Sequence, residues 1–366
     1  MIHALGNRER IRRCLMGQDL DRAPWFLYFG PWTETEARWR GEIGGPVEYS
    51  AFGFDAGIVP LTSWVNFGFC PAFPYEVLQE TPDRIVFQDS LGIVQESIKG
   101  RSGIPRILRN PVATIDDWRK IRRERLDPED PRRFPANWAT VATSLRQGDA
   151  ALQLGNYPYG MFGTLRDLMG VEPLLISFLD DPELVMTIMS DLADFWLSIY
   201  GKICRDIPEI SLVHMWEDMS GKQGSLISPE MVRTFMVPQY RRLADFALAH
   251  DIPGFIVDTD GRCDELIPPF MEGGVNALLP FEVAAGNDVV ALRRQFPDLA
   301  LFGGIDKRLI SQGREVLEQE LQRIRPLLSG TRYIPALDHL VPPEVSWQDF
   351  CDYSHRLHEL VLEAGS

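Results

Sequence analysis

Carboxylate side chains directly follow several short apolar runs of this chain. Glu217 and Asp218 follow a run that ends at Trp216, and Asp258-Thr259-Asp260-Gly261 closes another. In an extended strand, side chains two residues apart share a face, so Asp258 and Asp260 are expected to point the same way. Helix capping is the structural alternative for these acids, because carboxylates stabilise helix N-termini.

Further ionisable groups follow later runs. Glu282 follows one run, Asp306 and Lys307 come shortly after a pair of glycines, and Asp338-His339 follows the last run. His339 is the only one of the six histidines that stands directly at the end of a run. Imidazole gains and loses protons near neutral pH, which favours an acid–base role. Asp306 and Lys307 could instead form a surface ion pair of little energetic consequence.

These positions predict an acidic site formed by Glu217, Asp218, Asp258 or Asp260, Glu282, Asp306 and His339. So many carboxylates cannot all stay ionised at close range unless a cation is present or their pKa values are raised. The residues therefore leave three alternatives open: a bound divalent metal, protonated acids, or a cationic ligand.

The apolar runs alternate with helix-like stretches along the chain. Eight runs predict strands, at 24–30, 55–61, 150–155, 210–216, 254–257, 277–281, 299–302 and 332–337. The clearest predicted helices are 183–203, 229–250, 263–271, 287–294 and 314–328. Strands that alternate with helices predict a parallel sheet, and continuous apolar strands indicate that the sheet is buried on both faces.

We predict an α/β fold, specifically a (β/α)8 TIM barrel that forms a single domain over residues 1–366. A doubly wound open sheet uses the same local signals. The count of eight favours the barrel, as do the polar residues at nearly every strand end, since a barrel gathers those ends at one mouth. Two-residue alternation over 75–99 predicts a small antiparallel β-meander, inserted at about 75–100 after the second strand.

Composition narrows the function classes. The formal net charge is −15, which opposes binding to a nucleic-acid backbone. The arginine-rich N-terminus does not resemble a signal peptide, and no apolar run is long enough to span a membrane. Five scattered cysteines without a CxxC pair fit a reduced compartment. We therefore expect a cytoplasmic enzyme with a small-molecule substrate.

Aromatic residues near the predicted mouth could bind a flat ligand or a methylated amine by stacking. They are Trp25, Tyr28, Trp32, Trp64 and Tyr157. Ordinary core packing is the alternative for each of them. With Glu282 and Asp306, the group Trp25, Tyr28, Trp64 and Tyr157 forms the predicted substrate-binding set.

The chain resembles the uroporphyrinogen decarboxylase superfamily, which includes porphyrinogen decarboxylases and corrinoid-dependent methyltransferases. The resemblance is strongest over 180–357. It rests on Glu217-Asp218, 226–231, 238–243, 258–261, 303–307, 333–335 with His339, and 341–344. The resemblance implies a (β/α)8 barrel.

The residues depart from the decarboxylase branch of that superfamily. The stretch 25–33 lacks the arginine that holds substrate carboxylates, and Thr62 stands near the position of the catalytic aspartate. Positions 162–164 contain no tyrosine, so only the last histidine is retained, as His339. These departures argue against decarboxylation of uroporphyrinogen itself.

The methyltransferase branch binds zinc through His-x-Cys and a later cysteine, where this chain has Asp258-x-Asp260 and Asp338-His339. We predict methyl transfer between a small substrate and a corrinoid, with a corrinoid protein as partner. Asp258, Asp260 and His339 would be acid–base groups or ligands of zinc or another divalent metal, supported by Glu217 and Asp218. The chain could form a homodimer. The rivals are a decarboxylase or lyase acting on a non-porphyrin acid, and a non-catalytic corrinoid-binding barrel.

Overall fold

The computed structural model of the protein describes residues 3–100 and 105–365. The centre of this described part is a curled sheet of seven parallel strands in the order β1-β6-β7-β10-β11-β12-β13. The strands are β1 (Ile58–Pro60), β2 (Glu76–Glu80), β3 (Arg84–Gln88), β4 (Val94–Ile98), β5 (Arg106–Arg109), β6 (Ala151–Leu154), β7 (Ile210–Trp216), β8 (Ser220–Gly221), β9 (Gly224–Ser225), β10 (Gly254–Thr259), β11 (Ala277–Pro280), β12 (Ala300–Phe302) and β13 (Tyr333–Ile334). The predicted α/β class with a parallel sheet is confirmed.

Most of the helices pack against the outer side of the sheet, whereas the first helix packs against its inner apolar cluster. The helices are α1 (Asn7–Met16), α2 (Thr33–Ile43), α3 (Ile115–Arg125), α4 (Trp138–Gln147), α5 (Met161–Met169), α6 (Val171–Asp180), α7 (Pro182–Asp206), α8 (Pro229–Met231), α9 (Val237–Ala249), α10 (Ile267–Glu272), α11 (Val289–Gln295), α12 (Arg314–Leu328) and α13 (Trp347–Ala364). A π-helical turn, Val232–Met236, joins α8 to α9. Asp181 and Ser228 cap their helices just before a proline, as their sequences suggest. Within the described residues no helix is long and apolar enough to cross a membrane.

Alternate residues of each strand pack on opposite faces of the sheet. Leu212 and Ile256 belong to an inner apolar cluster that also contains Ala277, Phe302 and the α1 residue Ile11. Their neighbours Val213 and Val257 pack outward in the main core, against the helices. Because the period of a strand is two, His214 shares the inner face with Leu212, and Asp258 shares it with Ile256.

The first predicted strand, 24–30, does not form a regular strand, which corrects the predicted count of eight. The segment is extended, and Pro31, the residue that follows it, forms an isolated bridge with Val341. The Asp55 amide donates to the Trp25 carbonyl at 2.7 Å, and the Val341 amide donates to the Gly30 carbonyl at 3.1 Å. The segment lies between the two ends of the sheet, but these few hydrogen bonds do not make it a regular strand of that sheet.

An antiparallel sheet of four strands, β2 to β5, lies between β1 and β6 in the chain. Its first three strands fall within the predicted meander at 75–99, and β5 lies beyond it. One β2–β3 irregularity occurs between Val77 and Gln79. Most side chains of this sheet are exposed or half-buried, so it contributes little to the core around the mouth.

Candidate active site

A histidine and an aspartate face each other inside the curled sheet. His214 Nε2 lies 3.5 Å from Asp258 Oδ2, and His214 has no exposed surface, whereas the Asp258 side chain is 17% exposed. Burial raises the pKa of Asp258, and the proximity of His214 acts in the opposite direction. The pair therefore lies just below the opening formed by the carboxyl ends of the strands.

A second pair lies at the opening itself. His339 Nε2 lies 3.6 Å from Asp260 Oδ2, and both side chains keep some exposed surface. Burial lowers the pKa of His339, but the hydrogen bond and charge of Asp260 outweigh it and raise the pKa above its usual value. The imidazole ring stacks on Phe29 with centroids 5.4 Å apart, and Trp32 lies at 6.2 Å. The structure thus brings together two of the predicted residues, His339 and Asp260, beside aromatic rings.

Backbone hydrogen bonds to carboxylates hold neighbouring strand ends together. Asp338 is buried and accepts from the amides of Val283 at 2.9 Å and Lys307 at 3.1 Å. Glu282 accepts from the Gly261 amide at 3.0 Å and lies 3.4 Å from Lys307 Nζ. These contacts fix the loops after β10, β11, β12 and β13 relative to one another, and so fix the turn that carries Asp260.

Glu217 is fully buried and turned to the N-terminus of α5. Its carboxylate accepts hydrogen bonds from the amides of Met161, Phe162 and Gly163 and from the hydroxyl of Tyr240. Burial raises the pKa of Glu217 to about 7, although these four donors lower it. This environment gives Glu217 a structural task, since each of its oxygens already has two donors.

Asp218 and Asp306 are also engaged by nearby arginines. Asp218 adopts a φ of 39° and forms an ion pair with Arg166, which donates to the Asp218 carbonyl as well. Asp306 is buried, caps the short helix that begins at Lys307, and pairs with Arg308 at 2.6 Å. The predicted acidic site is therefore smaller than the set of acids at the strand ends: Asp258, Asp260 and Glu282 remain nearest the opening.

The predicted aromatic residues are distributed over different environments. Trp25 is buried in the core against Phe54 and His358, so its ring is covered by the C-terminal helix. Tyr28 packs edge-on against Phe302 at 4.6 Å on the inner side of the sheet. The remaining three are exposed: Trp32, Trp64 and Tyr157, of which Tyr157 packs against Trp216. Tyr28 and Trp32 are therefore the members placed near the two His–Asp pairs.

Comparison with known proteins agrees with this architecture. The family model of uroporphyrinogen decarboxylase (URO-D) matches residues 80–359. The chain belongs to the uroporphyrinogen decarboxylase family. The structure is similar to that of a methyltransferase from Methanosarcina mazei, with a TM-score of 0.64 and 13% identity over 99% of this chain and 100% of that chain. At that identity the likeness shows a shared TIM-barrel-like fold. Comparison with curated protein sequences gives no match.

The predicted metal ligands Asp258, Asp260 and His339 are not grouped as a metal site in this structure. In the described parts of the chain, no three His, Cys, Asp or Glu side chains are grouped so that they could hold an ion. Asp258 and Asp260 each face a histidine instead. Cys263, the nearest cysteine in sequence, is buried beside Asn287 and has its pKa raised to about 12 by burial, so it does not supply a thiolate.

Sequence reasoning missed two residues that shape the opening. His214 lies within the predicted strand 210–216 and is not part of the predicted site, although it precedes the strand end by two positions and so shares a face with it. Phe29 lies in the first apolar run and supplies the ring on which His339 stacks. For His214, the alternation of side chains between the two faces of a strand is a signal that could have identified it. For Phe29, no local pattern distinguishes it from the other aromatic residues of its run.

Proposed function

We propose that the protein is a methyltransferase that takes a methyl group from a small methylated substrate, with His339 as the general acid. The observation that carries this proposal is the His339–Asp260 pair at the opening, set among aromatic rings. The similarity in fold to a protein named as a methyltransferase supports it.

His339 would act when the bond between the methyl carbon and the substrate heteroatom breaks. The acceptor's electron pair forms the new bond to carbon, and the electrons of the old bond pass to the leaving oxygen. Because Asp260 faces Nε2, the protonated ring keeps Nδ1–H as the donor for that oxygen. Asp260 stabilises the imidazolium before transfer, and the neutral imidazole is reprotonated from water afterwards.

We further propose that the methyl acceptor is a corrinoid presented by a separate corrinoid protein, as the family's methyltransferase branch implies. A reduced corrinoid supplies a strong nucleophile for the methyl carbon. The residues of this chain have a different task, which is to orient the substrate against the aromatic rings and to deliver the proton. Both tasks fall to the opening, where Trp32 is 45% exposed and His339 is partly exposed.

The charges at the opening favour methyl transfer over decarboxylation. A substrate carboxylate would meet Asp258, Asp260 and Glu282. The nearby cations already have acidic partners, since Lys307 faces Glu282 and Arg166 pairs with Asp218. A neutral or cationic substrate carries no negative charge and is therefore not repelled by these carboxylates. It also does not require a free arginine or lysine.

The proposal is tested by incubating the purified protein with free cob(I)alamin and methoxylated aromatic compounds such as 2-methoxyphenol, while following methylcobalamin by absorbance. Loss of the general acid in His339→Gln should reduce the rate about 100-fold or more. His355→Gln changes an exposed histidine on α13 and should leave it unchanged. Release of CO2 from carboxylated compounds without methyl transfer would favour the lyase instead, and equal rates in both variants would overturn the role of His339.

The metal alternative has a separate test. Protein purified without chelator is analysed for zinc and other divalent ions, beside Asp260→Ala and His339→Ala. A stoichiometric ion that is lost in both variants would mean that Asp260 and His339 are ligands of that ion. That result would replace the proton-donor role of His339 by a ligand role.

A further inference from the structure

The His214–Asp258 pair has no task in the proposed reaction, yet Asp258 lies close enough to Asp260, the partner of His339, for the charge of Asp260 to act on it. Strands β7 and β10 are adjacent and parallel, with His214 opposite Ile256 and Trp216 opposite Asp258. Both side chains point to the inner side of the sheet, as their positions two residues after Leu212 and Ile256 require. The 3.5 Å contact between Nε2 and Oδ2 therefore links two strands inside the barrel-like interior.

His214 is a buried polar side chain without a regular hydrogen-bond partner. Neither ring nitrogen has a hydrogen bond within the described parts of the chain, and both are shielded from solvent. An unpaired polar group of this kind is costly in a protein interior. The contact with Asp258 is a polar interaction that accounts for a histidine at this buried position.

Among the described residues, no lysine or arginine pairs with the carboxylate of Asp258, in contrast to Glu282, Asp218 and Asp306. Glu282 faces a lysine, and Asp218 and Asp306 each face an arginine. The backbone carbonyl of Asp258 accepts from the Glu217 amide at 2.8 Å, which fixes the main chain at this point. One side of the carboxylate faces His214, and the 17% exposed part faces the opening.

Aromatic rings flank the same carboxylate. The half-buried Tyr28 is close enough for the charge of Asp258 to act with burial in raising the pKa of its hydroxyl. Tyr28 packs against Phe29 with centroids 4.9 Å apart, and Phe29 is the ring on which His339 stacks. A ligand that lies along these rings would present one end to His339 and another to Asp258.

We propose that Asp258, positioned by His214, accepts a hydrogen bond from a hydroxyl or ammonium group of the substrate and selects methylated compounds that carry such a donor. His214 is a positioning residue here, since it acts through the carboxylate. This inference rests on the proposed function for its substrate class, but its test measures binding and needs no turnover.

Isothermal titration calorimetry with three probes tests the selection. 2-Methoxyphenol carries a hydroxyl donor, 2-methoxybenzylamine carries an ammonium donor, and 1,2-dimethoxybenzene carries none. At least one donor probe should bind the wild-type protein about tenfold or more tightly than 1,2-dimethoxybenzene, as a hydrogen bond to a charged group requires. The stronger of the two donor probes identifies which donor the site takes.

Variants separate positioning from general damage. Asp258→Asn and His214→Leu should bring the ratio between donor and non-donor probes close to one. His214→Gln keeps an amide N–H for Asp258 and should recover part of the ratio. Asp251→Asn is the matched control, because Asp251 lies at the other end of β10 with an 86% exposed side chain and a φ of 53° that asparagine also tolerates.

Circular dichroism confirms folding of each variant before titration, and Asp258→Asn alone decides the question if the His214 variants do not fold. Equal affinities for all three probes, an unchanged ratio in Asp258→Asn, or no binding of any probe would overturn the inference. Donor selection that depends on Asp258 without any methyl transfer would instead sustain the inference and reject the proposed reaction.

Discussion

Replacement of Glu217 by glutamine distinguishes a structural carboxylate from a catalytic one. Oε1 of Glu217 accepts from the Met161 amide at 3.0 Å and the Tyr240 hydroxyl at 2.6 Å. Oε2 accepts from the amides of Phe162 at 2.6 Å and Gly163 at 3.2 Å. A glutamine side chain has one oxygen for these four donors, and its NH2 group must face two of them.

The glutamine side-chain amide will adopt the orientation of lower free energy, and this orientation determines how much the free energy of unfolding falls. With the glutamine oxygen in place of Oε2, the amides of Phe162 and Gly163 keep their acceptor. The NH2 group then faces Tyr240, whose hydroxyl can turn to accept, and the Met161 amide, which cannot. One buried N–H is left without a partner, so Glu217→Gln should lower the free energy of unfolding by about 1–3 kcal/mol.

The effect should also depend on pH. Burial raises the pKa of Glu217 to about 7, above the value of about 4.3 for an unfolded glutamate. The folded protein therefore binds more protons than the unfolded chain in this window, and the wild type loses stability as pH rises through it. Glutamine does not titrate, so the deficit of the variant should be larger at pH 5.5 than at pH 8.

Urea unfolding followed by tryptophan fluorescence measures both quantities by linear extrapolation. Glu344→Gln, at an exposed position after the last strand, is the control for the loss of an acid. An unchanged unfolding midpoint at pH 5.5, together with loss of methyl transfer, would refute this reasoning and return Glu217 to the catalytic residues.

Three further changes have defined outcomes. Asp260→Asn should lower the pKa of His339, since burial of the ring remains while the opposing charge is removed, and an unchanged NMR titration of the ring would contradict the pairing. In the wild type, the raised pKa of His339 stabilises the folded state at low pH, and this contribution is lost as the pH rises through that pKa. The free energy of unfolding measured with urea should therefore decline less over this pH range in the variant. Gly160→Ala should destabilise by about 1–3 kcal/mol in urea, because its Cβ would lie 1.8 Å from the Trp216 carbonyl oxygen. Asp338→Asn should cost a similar amount, as one of two backbone donors loses its acceptor.

Parts of the fold with strong local signals could be predicted from the sequence. The strand 210–216 and the helix 314–328 have the predicted bounds, because an apolar run in one and an amphipathic repeat in the other end at clear polar boundaries. The segment 24–30 is equally apolar, yet it remains an extended segment with few sheet contacts. Its sheet partners, near Asp55 and Val341, are far away in sequence, and their register carries no local signal.

The site could be predicted only in outline. Asp258, Asp260 and His339 could be predicted to lie near one another because residues at the ends of parallel strands gather at one edge. Which of them touch depends on loop conformation, and a sequence does not reveal that Glu217 turns to the N-terminus of α5. The backbone donors that engage Glu217 have no sequence signature, since an amide N–H is present at nearly every residue.

The two aspartates separated by one residue have different partners because the strand ends between them. Strand β10 ends at Thr259, so Asp258 is held in the sheet beside β7, while Asp260 lies in the following turn and reaches His339 beyond β13. Substitutions at the two positions should therefore have separable effects. Changes at Asp258 should alter which probe binds, and changes at Asp260 should alter proton donation by His339 with the order of probe affinities preserved. If both substitutions changed the two properties together, the carboxylates would act as one acidic site, as the sequence pattern alone suggested.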